Sequence, residues 1–165
     1  MTRRSTAQSH GSGGFSLSEM LTVIAILGLF ILFGGPSMAD AFRAYKVRSA
    51  ADMLVTDIRA LRYNAVAQRV TQTLTINTQS NVTAPNQYTF VNMKGVTVVR
   101  QEEIGVKIDD TSSTTISFNN TGATGSTGSL TVIMSLDVNS DRGDRYTLTV
   151  TPTGTVSSAY ASYVP

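Results

Sequence analysis

The hydrophobic rhythm of the chain changes three times. Residues 1–14, MTRRSTAQSHGSGG, are polar and without period. From Phe15 to Gly35 nearly every position is apolar, and Glu19 is the one charged side chain in the stretch. As a helix, about 21 such residues rise about 31 Å, close to the thickness of a bilayer core. Beyond Pro36 the apolar positions thin to Val47, Ala51, Leu54, Ile58, Leu61 and Ala65, in steps of four and three. That spacing is one stripe of an amphipathic helix. Arg48, Asp52, Asp57, Arg59, Arg62 and Arg69 fall between, mostly on the solvent side. Gly28, Gly34, Gly35 and Pro36 weaken the helix near the end of the span, since each Gly costs about 1 kcal/mol and Pro about 3 kcal/mol relative to Ala. The two patterns predict a nearly continuous helix from Phe15 to about Arg69, roughly 80 Å long.

After Val70 the period drops to two. VTQTLTI, QYTFVNM, GVTVVR, GVKI, TTISF, SLTVIMSL, YTLTVT and GTVSS are short β-rich runs. Leu130, Val132, Met134 and Leu136 share one face, as do Tyr146, Leu148 and Val150. NTGATGSTGS (Asn120–Ser129) reads as a mobile Gly/Ser/Thr loop. The expected fold class is α+β: a long N-terminal helix, hydrophobic and then amphipathic, packed on a C-terminal antiparallel β-sheet or β-sandwich head. The divisions are 1–14, 15–36, 37–69 and a β-rich head at 70–165.

Charge and composition narrow the chemistry. Thirteen Lys and Arg face eleven Asp and Glu, and Arg3 and Arg4 supply the whole excess. Placed before an apolar span, they predict a cytoplasmic N-terminus. From Val70 onward the acidic residues outnumber the basic ones, which removes a general electrostatic reason to bind nucleic acid. There is no cysteine, hence no disulfide framework or thiolate metal site, and the single histidine is His10. Histidine-dependent catalysis is nearly excluded. The chain is expected to be no enzyme and to need no cofactor.

The stretch GGFSLSEMLTVIAILG resembles the class III signal of type IV pilins and type II secretion pseudopilins. Gly14 precedes aromatic Phe15, Glu19 follows four residues later, an apolar helix comes next, and Pro36 stands where many pilins carry a kinking proline. The resemblance implies cleavage by prepilin peptidase between Gly14 and Phe15, N-methylation of Phe15, and retention of the helix on the mature protein. It also implies that Glu19 pairs with the Phe15 amine of a neighbouring subunit, because an unanswered carboxylate in an apolar filament core is costly. LRYNAVAQRVTQTLTI and YTLTVTPTGTV extend the resemblance into the head, toward minor pilins of the FimT and H-pseudopilin group. The implied partners are other subunits, prepilin peptidase, an inner-membrane assembly platform and, before assembly, membrane lipid. The implied location is a single inner-membrane pass with a periplasmic head, then a periplasmic or extracellular filament.

The function expected is that of a minor pilin or pseudopilin, a structural subunit of a type IV pilus or type II secretion filament. The alternatives are a major pilin forming the fibre body, a DNA-binding minor pilin and a plain secreted or tethered β-domain. An ordinary signal peptide, cut after Ser37–Ala39, is the competing account of the N-terminus.

Other motifs carry less. DVNSDRG places Asp137, Asn139 and Asp141 two apart, as calcium loops do, but Leu148 stands where a bidentate glutamate belongs. The segment reads as a polar hairpin turn. Arg142–Asp144 spells RGD, and Asn81–Thr83 and Asn119–Thr121 are sequons; all three arise readily by chance. Glu102/Glu103 and Asp109/Asp110 are adjacent in sequence, so they point apart in extended chain and read as solvated charges. Arg142 and Arg145, the nearest thing to a DNA-binding pair, sit among three aspartates.

Overall fold

The computed structural model describes residues 16–138 and 140–165, and for residues 32–37 the backbone alone. Gly14, Phe15 and Asn139 therefore lie outside the described residues. The element order is α1 (Leu17–Gln68), β1 (Gln72–Asn77), β2 (Gln87–Val91), β3 (Thr97–Gln101), β4 (Lys107–Ile108), β5 (Thr115–Phe118), β6 (Leu130–Asp137), β7 (Gly143–Val150) and β8 (Val156–Tyr163). Each of the eight β-rich runs holds a strand, and β8 continues well past the GTVSS segment. α1 runs on through Gly34, Gly35 and Pro36.

The described residues up to Met38 and the segment Ala39–Pro165 form two separate units. In the second, α1 stops by a local device. Arg69 takes φ 54°, Val70 N–H donates to the Ala65 carbonyl at 3.2 Å, and Arg69 N–H donates to Val66 at 3.4 Å. These are the two bonds of a Schellman cap, with arginine where glycine is usual. The chain then enters β1 at once.

Two antiparallel four-stranded sheets follow, ordered β3-β2-β1-β5 and β4-β6-β7-β8. They meet where the chain entering β5 bonds to β6: Ser113 N–H donates to the Thr131 carbonyl at 2.7 Å, and Ser112 Oγ accepts Ile133 N–H at 3.0 Å. The amphipathic stripe of α1, from Val47 to Ala65, is fully buried. Leu74, Ile76, Tyr88, Ile116 and Phe118 of the first sheet join Val132, Met134, Leu148 and Val150 of the second in the same core. Burial of apolar surface at roughly 25 cal/mol per Å² holds this layer together. The antiparallel pairing Met134↔Tyr146 and Val132↔Leu148 puts the expected faces of β6 and β7 on one side.

The direction of α1 over the second sheet is set at both ends. Arg43 donates to the Val138 carbonyl just past β6. Arg62 donates from Nη2 to the Thr153 carbonyl, in the turn between β7 and β8, at 3.2 Å. Helix and β7 therefore run the same way.

The loop after β5 departs from the mobile reading over its first half. Asn119 Oδ1 accepts the N–H groups of Thr121 at 2.9 Å and Ala123 at 3.1 Å. The Gly122 carbonyl accepts Arg62 Nε at 3.0 Å, and Thr124 N–H donates to the Pro152 carbonyl at 3.0 Å. Composition reports only which residues can bend; the arginine reaching across from α1 supplies the anchor.

Candidate functional site

The first turn of α1 is built by Ser16, whose Oγ accepts the Glu19 N–H at 3.3 Å. Ser-x-x-Glu is the capping-box spacing, and a carboxylate in the first turn faces the positive end of the helix dipole. Ser16 Oγ also lies 2.7 Å from Ser18 Oγ, and Thr22 Oγ1 donates to the Ser18 carbonyl at 2.8 Å. Ser16, Ser18, Glu19, Thr22 and Val23 line one shallow depression. It is a polar notch at the head of a stretch, Met20 to Ile31, whose side chains are almost all apolar and exposed. Leu17 is 83% exposed, Phe30 71% and Ile31 75%, and Leu21, Ile24 and Leu27 are exposed as well. A helix apolar on every side is suited to a lipid or helical surround rather than to water. Glu19 is placed at its head; the glycine, the cleavage partner and the amine that the resemblance invokes are outside the described residues. Among those residues no helix is long and apolar enough to cross a membrane. The expected span includes residue 15 and residues 32–37, which are not fully described.

In the head, Asp137 and Asp141 of the calcium-like spacing are described, and Asn139 between them is not. Asp137 accepts Lys107 Nζ at 3.0 Å and Tyr163 Oη at 2.5 Å. Those hydrogen bonds, the tyrosine's first, pull its carboxyl below the usual range. Asp141 is exposed. Among the described residues no group of three His, Cys, Asp or Glu side chains could hold a metal.

The RGD tripeptide is part of a strand start. Asp144 is buried, accepts both Arg142 Nε at 3.0 Å and Nη2 at 3.2 Å, and accepts Tyr160 Oη at 3.0 Å. Arg145 lies under the Tyr163 ring, 4.9 Å from its centroid. Both arginines that a DNA-binding reading requires are thus engaged within the sheet.

Glu102 departs from the solvated reading. It lines a cavity of about 330 Å³ with Lys46, Met53, Val99, Arg100 and Glu103. Burial, then the neighbouring Glu103 and Asp57, push its carboxyl up to about 7. Asp57 itself accepts Tyr88 Oη at 2.8 Å and faces Arg100 at 3.5 Å. Burial and the bond to Asp57 raise the Tyr88 phenol. Sequence adjacency missed this because the chain leaves β3 at Gln101, so the strand rule of opposite faces no longer holds. Arg62 was legible as part of LRYNAVAQ but not as the clamp described above.

A long helix, apolar and bare at its N-terminal end and buried against two antiparallel sheets farther on, defines a pilin-like subunit. The sequence profile of the type II transport protein GspH family matches residues 50–154. The chain belongs to that family of pseudopilins, which are structural subunits of filaments rather than enzymes. Family membership places it at a membrane and then in a filament with other such subunits. A crystal structure of the type IV minor pilin FimU from Pseudomonas aeruginosa is similar at 14% identity and a TM-score of 0.49, over 68% of this chain and 91% of that one. No curated protein sequence matches the chain.

Proposed function

We propose that this chain is a minor pseudopilin of the H type, made as a precursor with a leader at 1–14 and matured by prepilin peptidase between Gly14 and Phe15. Residues 15–36 then anchor it in the inner membrane and later in the filament core. Residues 37–69 connect the anchor to a periplasmic head at 70–165, and Gly34–Pro36 gives the helix a place to bend. Its work is mechanical: it starts, caps or decorates a filament raised by an assembly platform.

The observation that carries this reading is the first turn of α1. A single carboxylate, Glu19, lines a polar notch at the head of the stretch Leu17–Ile31, whose other side chains are largely apolar and exposed. Cleavage would create a cationic amine on Phe15, and methylation keeps its charge. An amine from an adjacent subunit would relieve the carboxylate in an apolar core and select one axial register, as polar groups do in coiled coils.

Intact-mass measurement of the membrane-extracted protein tests it. A mass beginning at N-methylated Phe15 is expected. A chain beginning at Asp40 would make the segment a disposable signal and end the proposal.

A further inference from the structure

Four strands stand at sheet edges, and they are not treated alike. The outer edge of β4 is covered: Ile108 N–H donates to Asn86 Oδ1 at 2.9 Å, and Gln79 N–H donates to the Ile108 carbonyl at 2.9 Å. β5 is four residues long, and the chain entering it bonds to β6. β3 is five residues long, carries Arg100 and runs into Glu102 and Glu103. β8 is eight residues, VSSAYASY, with no charge and no proline. Every one of its residues pairs with β7, so it holds no bulge. Proteins ordinarily blunt edges with charge, proline, bulges or shortness; β8 has none of these.

The register says which of its backbone groups are free. Thr151 N–H donates to the Thr155 carbonyl, so 151↔155 is a hydrogen-bonded pair. Alternation along an antiparallel ladder then turns the N–H and C=O of Ser157, Ala159, Ala161 and Tyr163 toward β7. Those of Ser158, Tyr160 and Ser162 point away from the sheet. The Val138–Arg142 bond on the other side of β7 gives the same phase. Ala159, Ala161 and the serines are small, so the outward backbone is not shielded by bulk.

We propose that β8 is a docking edge, extended by a strand from a different polypeptide of the filament; this rests on the pseudopilin reading above. The occupant is an uncharged extended segment of at least about five residues, bound by the outward groups of Ser158, Tyr160 and Ser162. On one face it meets the tilted Tyr146–Tyr160 pair, centroids 5.3 Å apart, and carries apolar or aromatic side chains there. On the other it meets Ala159 and Ala161, which leave room for larger ones. A second copy joined edge to edge about a two-fold does not fit. Two β8 edges joined about a two-fold have that axis normal to the sheet, and the head portion of α1 runs along the sheet beside β7. The axis would set the two helices antiparallel, whereas subunits of one filament carry them in the same direction.

Site-resolved amide exchange tests the edge, in purified full-length chain and in intact filaments. In the free chain the amides of Ser158, Tyr160 and Ser162 exchange fast, beside slow Ala159 and Ala161. In filaments the three slow by at least about tenfold. Ser158→Lys and Ser162→Lys, which add a guarding charge, each cut filament incorporation by about tenfold and leave the unfolding midpoint of the free chain unchanged. Fast exchange at all three amides in filaments that contain the chain would overturn the proposal while leaving the pseudopilin reading intact. So would slow exchange in the free chain with a concentration-dependent dimer, which would make a second copy the occupant. A chain matured at Phe15 that never enters filaments brings down both.

Discussion

Gly154 sits at φ +82° in the turn between β7 and β8, and a Cβ there would lie 2.0 Å from the Gly122 carbonyl oxygen and 2.7 Å from Arg62 Nε. Backbone conformation and close approach both require glycine. Gly154→Ala is expected to lower stability by about 3 kcal/mol or more, read as a shifted urea midpoint; a loss below about 0.5 kcal/mol would mean that the turn relaxes freely. Gly143 shows the same economy of space in β7. Its Cβ would enter the Tyr163 ring, which covers Gly143 as its cross-strand partner. Glu102 makes a prediction in pH. Its folded carboxyl is raised to about 7 from 4.5, so the native state holds this proton more tightly than the unfolded chain. The associated stability is full below about pH 4 and is lost as pH rises through 7. Glu102→Gln should therefore match the parent near pH 4 and exceed it near pH 8, by on the order of 1 kcal/mol after solvent screening. Equal stability at both values would show the carboxylate to be well solvated.

Among elements, α1 needs its C-terminal half to hold the two sheets. Its buried stripe was legible at every position from Val47 to Ala65, because a period of 3.6 is written directly into the spacing of apolar residues. What the spacing does not carry is the polar fastening between elements. Arg62 donates to carbonyls in two separate loops, at Gly122 and Thr153, which are 60 and 91 residues away in sequence. Arg62→Ala is expected to cost about 2 kcal/mol, since it removes charge-assisted bonds and leaves two loop carbonyls short of a partner. It should also quicken amide exchange at Thr124, whose bond to Pro152 joins the same two loops. Unchanged exchange at Thr124 would show that the loops hold each other without the arginine. The strands tell a similar story. All eight lie in runs readable as β-rich, several of them by clean alternation, yet the far half of β8 was not. Ala159 to Tyr163 mix small residues with two tyrosines and hold no branched aliphatic side chain, and only pairing with β7 makes them a strand.

For the whole molecule, the decisive contrast is between a head that closes its own core and a helix end whose apolar side chains, from Leu17 to Ile31, are exposed. Glu19→Ala is expected to leave processing at Phe15 intact and to reduce recovery of the chain in filaments by tenfold or more, with the head's unfolding midpoint unchanged. Normal recovery would remove Glu19 from assembly and leave it as a helix cap only. The sequence by itself determined what depends on neighbours a few residues apart. That covers the apolar segment with its one carboxylate, the amphipathic stripe, the alternation of several strands and the lack of cysteine. The tertiary structure alone decided what depends on residues distant in sequence meeting in space: the half-buried Glu102, the Arg62 clamp, the engagement of Asp137 and Asp144, and the open edge of β8. Hydrophobic period is a local property of a chain, whereas hydrogen-bond partners, local dielectric and sheet edges exist only once the strands have been ordered.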